Sequence, residues 1–345
     1  MVGDLMLFKD YIERHRASVY SKICEYVPIK EPVGHYKVVR DYIDRQGSYR
    51  RPGLLMLAGE MFGAKAEDLL LPAAAMQLSE DWILIHDDIE DHSEMRRGKP
   101  ALQVLYGDEI SINAGDGGHM AMWKMLKDYM SIVGLRKGAR IYDKFYDMLQ
   151  YTVEGQFIDD NFIYNVRDLG KANEELYFRI INSKTCYYTV YGPMQIGAMV
   201  ANQRKGMLNM FEKIGKPAGI AFQVVDDILD MTADEKVFGK KRYGDLYEGK
   251  VTLIVLHAYK SANQAERERL GAIYKKNRGQ KTADDIDFIV SMVNKYGGLD
   301  YARGIAAKYQ ELASQTVEKN RGRLPSNEYA EIMLSAMNEL YARSK

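Results

Sequence analysis

Residues 69–91 read Leu-Leu-Leu-Pro-Ala-Ala-Ala-Met-Gln-Leu-Ser-Glu-Asp-Trp-Ile-Leu-Ile-His-Asp-Asp-Ile-Glu-Asp. Leu69, Leu70, Ala73, Met76, Gln77, Trp82 and Ile83 recur at the spacing of one helical face. Pro72 is tolerated near a helix start, so the helix is expected to begin close to it and to run into the acidic cluster. That cluster places carboxylates at i, i+1 and i+4: Asp87, Asp88 and Asp91. On a helix these lie close together, where like charges repel, and a helix C-terminus adds its own negative potential. A lone cluster of this kind reads equally well as a solvated acidic helix end.

The chain repeats the pattern. Phe222-Gln223-Val224-Val225 leads into Asp226-Asp227-Ile228-Leu229-Asp230, again with carboxylates at i, i+1 and i+4. A chain that accepts this cost twice is expected to offset it with cations. Hard carboxylate oxygens suit Mg²⁺, which binds through a few carboxylates together with substrate phosphates. The pattern therefore points to chemistry on a diphosphate.

The bulk composition agrees with a large globular body. The chain has 345 residues, of which 46% are hydrophobic and 28% charged, enough for a sizeable core. Lys+Arg and Asp+Glu are both 48, so the net charge is zero, and no basic run suggests a nucleic-acid partner. The only cysteines are Cys24 and Cys186, which excludes a disulfide framework and fits a reducing, cytoplasmic setting. Residues Met1 to Arg16 carry Asp4, Lys9, Asp10 and Glu13 and lack the apolar core of a signal peptide. The uncharged stretch Lys184-flanked from Thr185 to Gln203 is interrupted by Gly192, Pro193, Gln195 and Asn202. It reads as a buried helix, not as a stable membrane insertion.

Helical periodicity dominates elsewhere. Leu54, Leu55, Leu57 and Ala58 begin one apolar face, and Ile141 to Val153 and Ile286 to Val293 show further helices. Thr282-Ala283-Asp284-Asp285 has the form of a capped helix start, preceded by a surface loop from Lys275 to Gln280. Strand-like alternation is rare and no fixed-period repeat is present. The expected architecture is all-α, one domain over residues 1–345, with roughly ten or more helices of ordinary length.

Polar companions accompany both clusters. Met95-Arg96-Arg97-Gly98-Lys99-Pro100 follows the first, and paired arginines offer forked, permanent donors for a diphosphate. Gly239-Lys240 and Gly244-Asp245-Leu246-Tyr247-Glu248-Gly249-Lys250-Val251-Thr252 follow the second, with lysines on glycine-bearing loops. Each half alone could be surface charge balance.

With these motifs quoted, the chain resembles the trans-isoprenyl diphosphate synthases, the family of farnesyl and geranylgeranyl diphosphate synthases. The resemblance runs from Gly47 to Leu253. It keeps the family's order: a Gly-bearing Arg-Pro segment, a first DDxxD, Arg-Arg-Gly, the pair Lys184-Thr185, Phe-Gln before a second DDxxD, then Gly-Lys and Lys-x-Thr. The resemblance implies an isoprenoid-synthase-type helical bundle around a central cavity, usually a homodimer. It implies an allylic diphosphate and isopentenyl diphosphate as small-molecule substrates, with three Mg²⁺ ions bridging the two motifs to the allylic diphosphate. Asp87, Asp91 and Asp226 would be direct metal ligands, and Asp88, Asp227 and Asp230 ligands or supports. Arg96, Lys184, Lys240 and Lys250 would hold the allylic diphosphate, which ionises to an allylic cation that the isopentenyl double bond attacks. Thr185 and Gln223 would border that cation.

The acceptor pocket departs from the family's pattern. Where relatives read Gly-Gly-Lys-x-x-Arg, this chain has Gln46 to Arg51, so Arg51 is kept and Ser48 replaces the lysine. Seven positions before Asp87, where relatives carry His or Gln, stands Glu80. Of the expected contacts to isopentenyl diphosphate at positions 48, 51, 80 and 97, only Arg51 and Arg97 remain. Three readings stay open. Arg45 or Arg50 replaces the lysine while Glu80 pairs with an arginine; the acceptor differs; or the chain does not condense, as a class I cyclase or a non-catalytic subunit. The two intact motifs argue against the third. The resemblance also implies that Trp82 and Ile83 form the floor under the growing tail. A tryptophan there would exclude long chains, favouring products of about C15 to C20, geranylgeranyl diphosphate first. His86 and His92 flank the first motif and read as hydrogen-bonding neighbours ahead of metal ligands.

Overall fold

The computed structural model describes residues 7–232 and 242–341. In chain order the first helices are α1 (Phe8–Tyr26), α2 (Val33–Asp44), α3 (Arg50–Met61), α4 (Ala66–Glu90), α5 (Leu102–Tyr106) and α6 (Asp108–Val133). Then come α7 (Leu135–Asn161), α8 (Glu174–Ile181), α9 (Gly192–Val200) and α10 (Lys205–Thr232). Past the second acidic cluster lie α11 (Gly244–Glu248), α12 (Leu253–Ser261), α13 (Gln264–Tyr274), α14 (Ala283–Lys295), α15 (Gly298–Asn320) and α16 (Glu328–Tyr341). Two wide, π-type helical segments, Phe162–Val166 and Asn182–Tyr191, flank α8. The all-α expectation holds. The only sheet among the described residues is a hairpin of two-residue strands, Met95–Arg96 and Lys99–Pro100, which the sequence reading did not anticipate.

The chain forms two compact units. The first comprises Met1–Met148, Thr189–Glu212 and Asn320–Ala336. Its centre is α4, whose residues from Leu71 to Trp82 are all buried, and which packs against α1, α3, α6 and α9. Ala73, Ala74 and Ala75, all buried, supply helix propensity in its middle. The helix starts at Ala66, ahead of Pro72, which lies inside it. The proline removes one N–H, and the carbonyl it would have met, on exposed Asp68, is within reach of water. The pairing of α3 with α9 depends on Gly197: a Cβ there would collide with the Leu55 carbonyl oxygen. The apolar run from Thr185 is buried, as expected, but it forms the end of a π-type turn and then α9.

The second unit comprises Leu149–Tyr188, Lys213–Lys319 and Met337–Lys345. The expected cap at Thr282 is present as a reciprocal capping box: the Thr282 hydroxyl accepts from the Asp285 amide, and Asp285 accepts from the Thr282 amide at 2.9 Å. No helix among the described residues is long and apolar enough to cross a membrane.

Candidate active site

The first motif lies at the end of α4, which closes at Glu90 with Asp91 as its C-cap. The three aspartates do not play one role. Asp87 is half-buried, whereas Asp88 is fully buried. Asp88 accepts a hydrogen bond from the Tyr42 hydroxyl at 2.6 Å and a forked pair from Arg96, whose Nε lies 3.0 and 2.9 Å from its two oxygens. Arg96 Nη2 also contacts Asp88 closely and stands 3.6 Å from Asp87. Arg96 thus neutralises the acidic helix end, where the macrodipole would otherwise add to the repulsion.

The hairpin explains how Arg96 gets there. Arg97 and Gly98 both have positive φ, 52° and 75°, the turn geometry that matches hairpin twist. Arg45 fastens the hairpin from α2: its Nη1 donates to the carbonyls of Arg96 and Pro100 at 2.9 Å each, and its Nε pairs with Asp41 at 2.6 Å. Arg45 thus ties the end of α2 to the hairpin. Ser48 is exposed in the bend before α3.

Arg51, Glu80 and Arg97 meet in the structure. Glu80 pairs with Arg51 at 3.0 Å and stands 3.8 Å from Arg97. Arg97 binds Asp81 at 2.8 Å and the Tyr42 carbonyl, and Arg51 donates to the Thr189 hydroxyl at 2.9 Å. Two guanidinium groups thus face two carboxylates. Burial pushes the Asp81 carboxyl up to about 6 despite Arg97 beside it. Asp81 was missed from sequence, because it reads as one more charge before the motif. Trp82 is buried and Ile83 half-buried.

The second motif, in the second unit, repeats the division of labour. Asp226 is half-buried, while Asp227 is buried and accepts from the Tyr177 hydroxyl at 2.7 Å and from Gln223 Nε2 at 2.9 Å. Thr185, on the π-type segment, donates to Gln223 Oε1 at 2.7 Å. Asp230 accepts from the Asp245 amide at 3.3 Å. Burial first, and Asp245 second, raise the Asp227 carboxyl well above its usual range and Asp230 to about 8. Lys184 pairs with Asp159 at 3.1 Å and Lys250 with Glu248 at 2.6 Å. Lys240 lies outside the described residues. Tyr42 and Tyr177, each holding the second aspartate of a motif, were not legible from sequence, since 25 tyrosines hide any two.

These donors fit a hard divalent ion. The raised proton affinity of buried Asp227 and Asp230 is what a cation relieves. Among the described residues no group of three or more His, Cys, Asp or Glu side chains is placed to hold a metal ion by itself. An open set of carboxylates suits Mg²⁺, whose remaining ligands are phosphate and water.

A family model, Polyprenyl synthetase, matches residues 34–293. A geranylgeranyl diphosphate synthase of Methanosarcina mazei is 32% identical over 318 residues, 91% of this chain and 92% of its own. A solved geranylgeranyl pyrophosphate synthetase from Pyrococcus horikoshii superposes with a TM-score of 0.84 at 27% identity, covering 97% of this chain and 98% of that one. The geranylgeranyl pyrophosphate synthase from Corynebacterium glutamicum, solved with isoprenyl diphosphate and magnesium, shares the fold with a TM-score of 0.83 at 22% identity, covering 98% of this chain and 100% of its own.

Proposed function

We propose, because this chain belongs to the polyprenyl synthetase family, that it condenses isopentenyl diphosphate with an allylic diphosphate to a short all-trans product, geranylgeranyl diphosphate foremost. It is a prenyltransferase by that membership. The observation that carries the reading is the shared construction of the two DDxxD helix ends. In each, the first aspartate is partly open and the second is buried against a tyrosine hydroxyl. A merely acidic surface would need neither.

Asp87, Asp91, Asp226 and Asp230 would hold the Mg²⁺ ions, three by family resemblance, with Asp88 and Asp227 supporting from behind. When bound, Mg²⁺ neutralises charge on the leaving diphosphate and so eases ionisation of the allylic C–O bond. Lys184 and Lys250 exchange their carboxylate partners for phosphate oxygens, and Lys240 is assigned the same task by its motif. Arg96 orients Asp88 and Asp87. Thr185 donates its hydroxyl hydrogen bond to Gln223, so its oxygen lone pairs would face an allylic cation, an electrostatic stabilisation that adds no base. Arg51 and Arg97 receive the isopentenyl diphosphate, with Glu80 and Asp81 as resting counter-charges. The proton lost after bond formation goes to the released diphosphate.

Residues 1–345 act as one catalytic domain in this reading, since the family match runs without a break through segments of both units. The exposed apolar residues Val104, Leu105, Ile110, Ile112 and Met120 on α5 and α6 support a homodimer. A cytoplasmic setting suits two unbridged cysteines and water-soluble diphosphate substrates.

The test is product analysis by mass spectrometry with Mg²⁺, labelled isopentenyl diphosphate, and dimethylallyl, geranyl or farnesyl diphosphate in turn. Chain-extended diphosphates are expected. An allylic substrate that is consumed without extension, or not consumed, would refute the condensation.

A further inference from the structure

The turn from α6 into α7 is a single residue, Gly134, with φ 88°. Beside it the two helices touch, since a Cβ on Gly138 would collide with the Met130 Cα. So close an approach leaves the tip of this helical hairpin little room to splay. Lys137 also ties the tip to the end of α9, donating to the Val200 carbonyl at 2.7 Å. Ile132 and Leu135 stand on either side of Gly134. At 72% and 74% they are the two most exposed large apolar side chains among the described residues.

Cations surround them. A cavity of about 450 Å³ opens beside the tip, lined in part by Arg136, Lys137, Arg140, Met199 and Asn202, with no carboxylate in its wall. Arg204 and Lys205 follow Asn202 closely in the chain, and both are exposed. All these residues belong to the first unit. The side chains of Arg136, Arg140, Arg204 and Lys205 make no hydrogen bond or ion pair among the described residues. On the same helices, Asp128 is already paired with Lys124 at 2.7 Å, and Asp143 is one charge against four. In a chain whose charges balance at 48 against 48, this is a local excess.

We propose that the α6–α7 tip docks on an anionic lipid bilayer. Ile132 and Leu135 enter the acyl boundary, while Arg136, Arg140, Arg204 and Lys205 meet lipid phosphates, the arginines with forked donors. A protein partner fits less well. Two side chains on a one-residue turn fall far short of the roughly 800 Å² per side that a stable protein interface buries. A bilayer needs no matching shape, and a short apolar tip ringed by basic charge suits it. The tip is separate from the residues given to the homodimer, since Ile132 lies about 18 Å along α6 from Met120. A prenyl product is itself an anionic amphiphile, so release at a bilayer suits it, although the docking stands without that reading.

The experiment is co-sedimentation of the whole protein with vesicles of phosphatidylcholine, alone or with about a third phosphatidylglycerol, in ~0.1 M NaCl. Binding is expected only to the anionic vesicles, and its loss in ~1 M NaCl, where charge is screened within about 3 Å. Each basic residue at an anionic surface is worth about fivefold, so Arg136→Gln with Arg140→Gln is expected to weaken partitioning about 25-fold. Ile132→Ser with Leu135→Ser keeps the charge and is expected to weaken it about tenfold or more. All four positions are exposed, so melting temperatures are expected to match the parent's. Lys275→Gln with Lys308→Gln removes the same charge from exposed positions in the second unit and is expected to change nothing. A parent protein that stays in solution with the anionic vesicles overturns the proposal, as do tip variants that sediment like the parent. An equal loss in the Lys275 and Lys308 pair also overturns it, because bulk charge would then suffice. If the serine pair sediments like the parent and millimolar glycerol phosphate releases both, the patch binds free phosphate and is not a lipid dock.

Discussion

Glu80 lies between Arg51 and Arg97, the two arginines proposed to receive isopentenyl diphosphate. Its carboxylate, 3.0 Å from Arg51 and 3.8 Å from Arg97, must be displaced or screened when that substrate arrives. Glu80→Gln removes the competing charge and keeps the shape, so the KM for isopentenyl diphosphate is expected to fall about tenfold, worth ~1.4 kcal/mol. Steady-state kinetics check this, and a rise in KM would mean that Glu80 orders the arginines instead of competing. Asp81 makes a pH-dependent contribution. Its folded-state value, about 6, lies above its ordinary 3.8, so the unfolded chain sheds this proton first. The resulting destabilisation is absent below about 3.8, grows as pH rises, and is complete above about 6. Asp81→Asn is therefore expected to raise the melting temperature near pH ~8 and to change it little near pH ~4. The two tyrosines act on the motifs themselves. Tyr42→Phe and Tyr177→Phe each remove one hydroxyl from a buried aspartate, and the Mg²⁺ concentration for half-maximal activity is expected to rise about tenfold or more, as for other groups that orient metal ligands. An unchanged Mg²⁺ dependence in both would show that the buried aspartates need no such support.

Between residue and unit, helix contacts decide where the motifs end up. α4 delivers Glu80, Trp82 and the first DDxxD in one rigid run, and its surroundings are set by close helix approaches. Gly197 is the tightest of these, because its missing side chain lets α9 meet the Leu55 carbonyl of α3. Gly197→Ala is expected to cost about 1–3 kcal/mol, as overpacking does. Chemical denaturation reads it, and a variant as stable as the parent would show that α9 shifts freely. Beyond the second motif, buried Lys281 donates to the carbonyls of Leu246 and Tyr247 at 2.9 and 2.8 Å, closing α11 and placing the Gly249-Lys250 turn. The hairpin plays the matching part after the first motif, turning Arg96 back onto Asp88.

At the scale of the whole molecule, α5 and α6 carry several exposed apolar side chains. Val104, Ile110, Ile112 and Met120 are exposed by roughly half or more, at 57%, 51%, 46% and 67%. Light scattering is expected to give twice 39.5 kDa, and Ile112→Glu with Met120→Glu is expected to yield monomer. A parent protein that is already monomeric would leave that strip without its proposed role. Much of the fold was legible at this scale. Helix after helix announced itself by period, and the Thr282 cap by its residues, because both signals are local. Pro72 misled about where α4 begins, since a proline is tolerated inside a helix when the carbonyl it abandons lies at the surface.

The sequence by itself determined the all-α class, the two aspartate motifs and the kind of ligand they suit, because helical period and carboxylate spacing are properties of neighbours along the chain. It also exposed the anomaly at Glu80. The tertiary structure alone decided which aspartate of each motif is open and which is buried, that Glu80 and Asp81 counter Arg51 and Arg97, and that Arg45 belongs to the hairpin. Those assignments depend on side chains brought together from distant stretches, where burial and the local dielectric, not spacing, set the strength and the role of each charge.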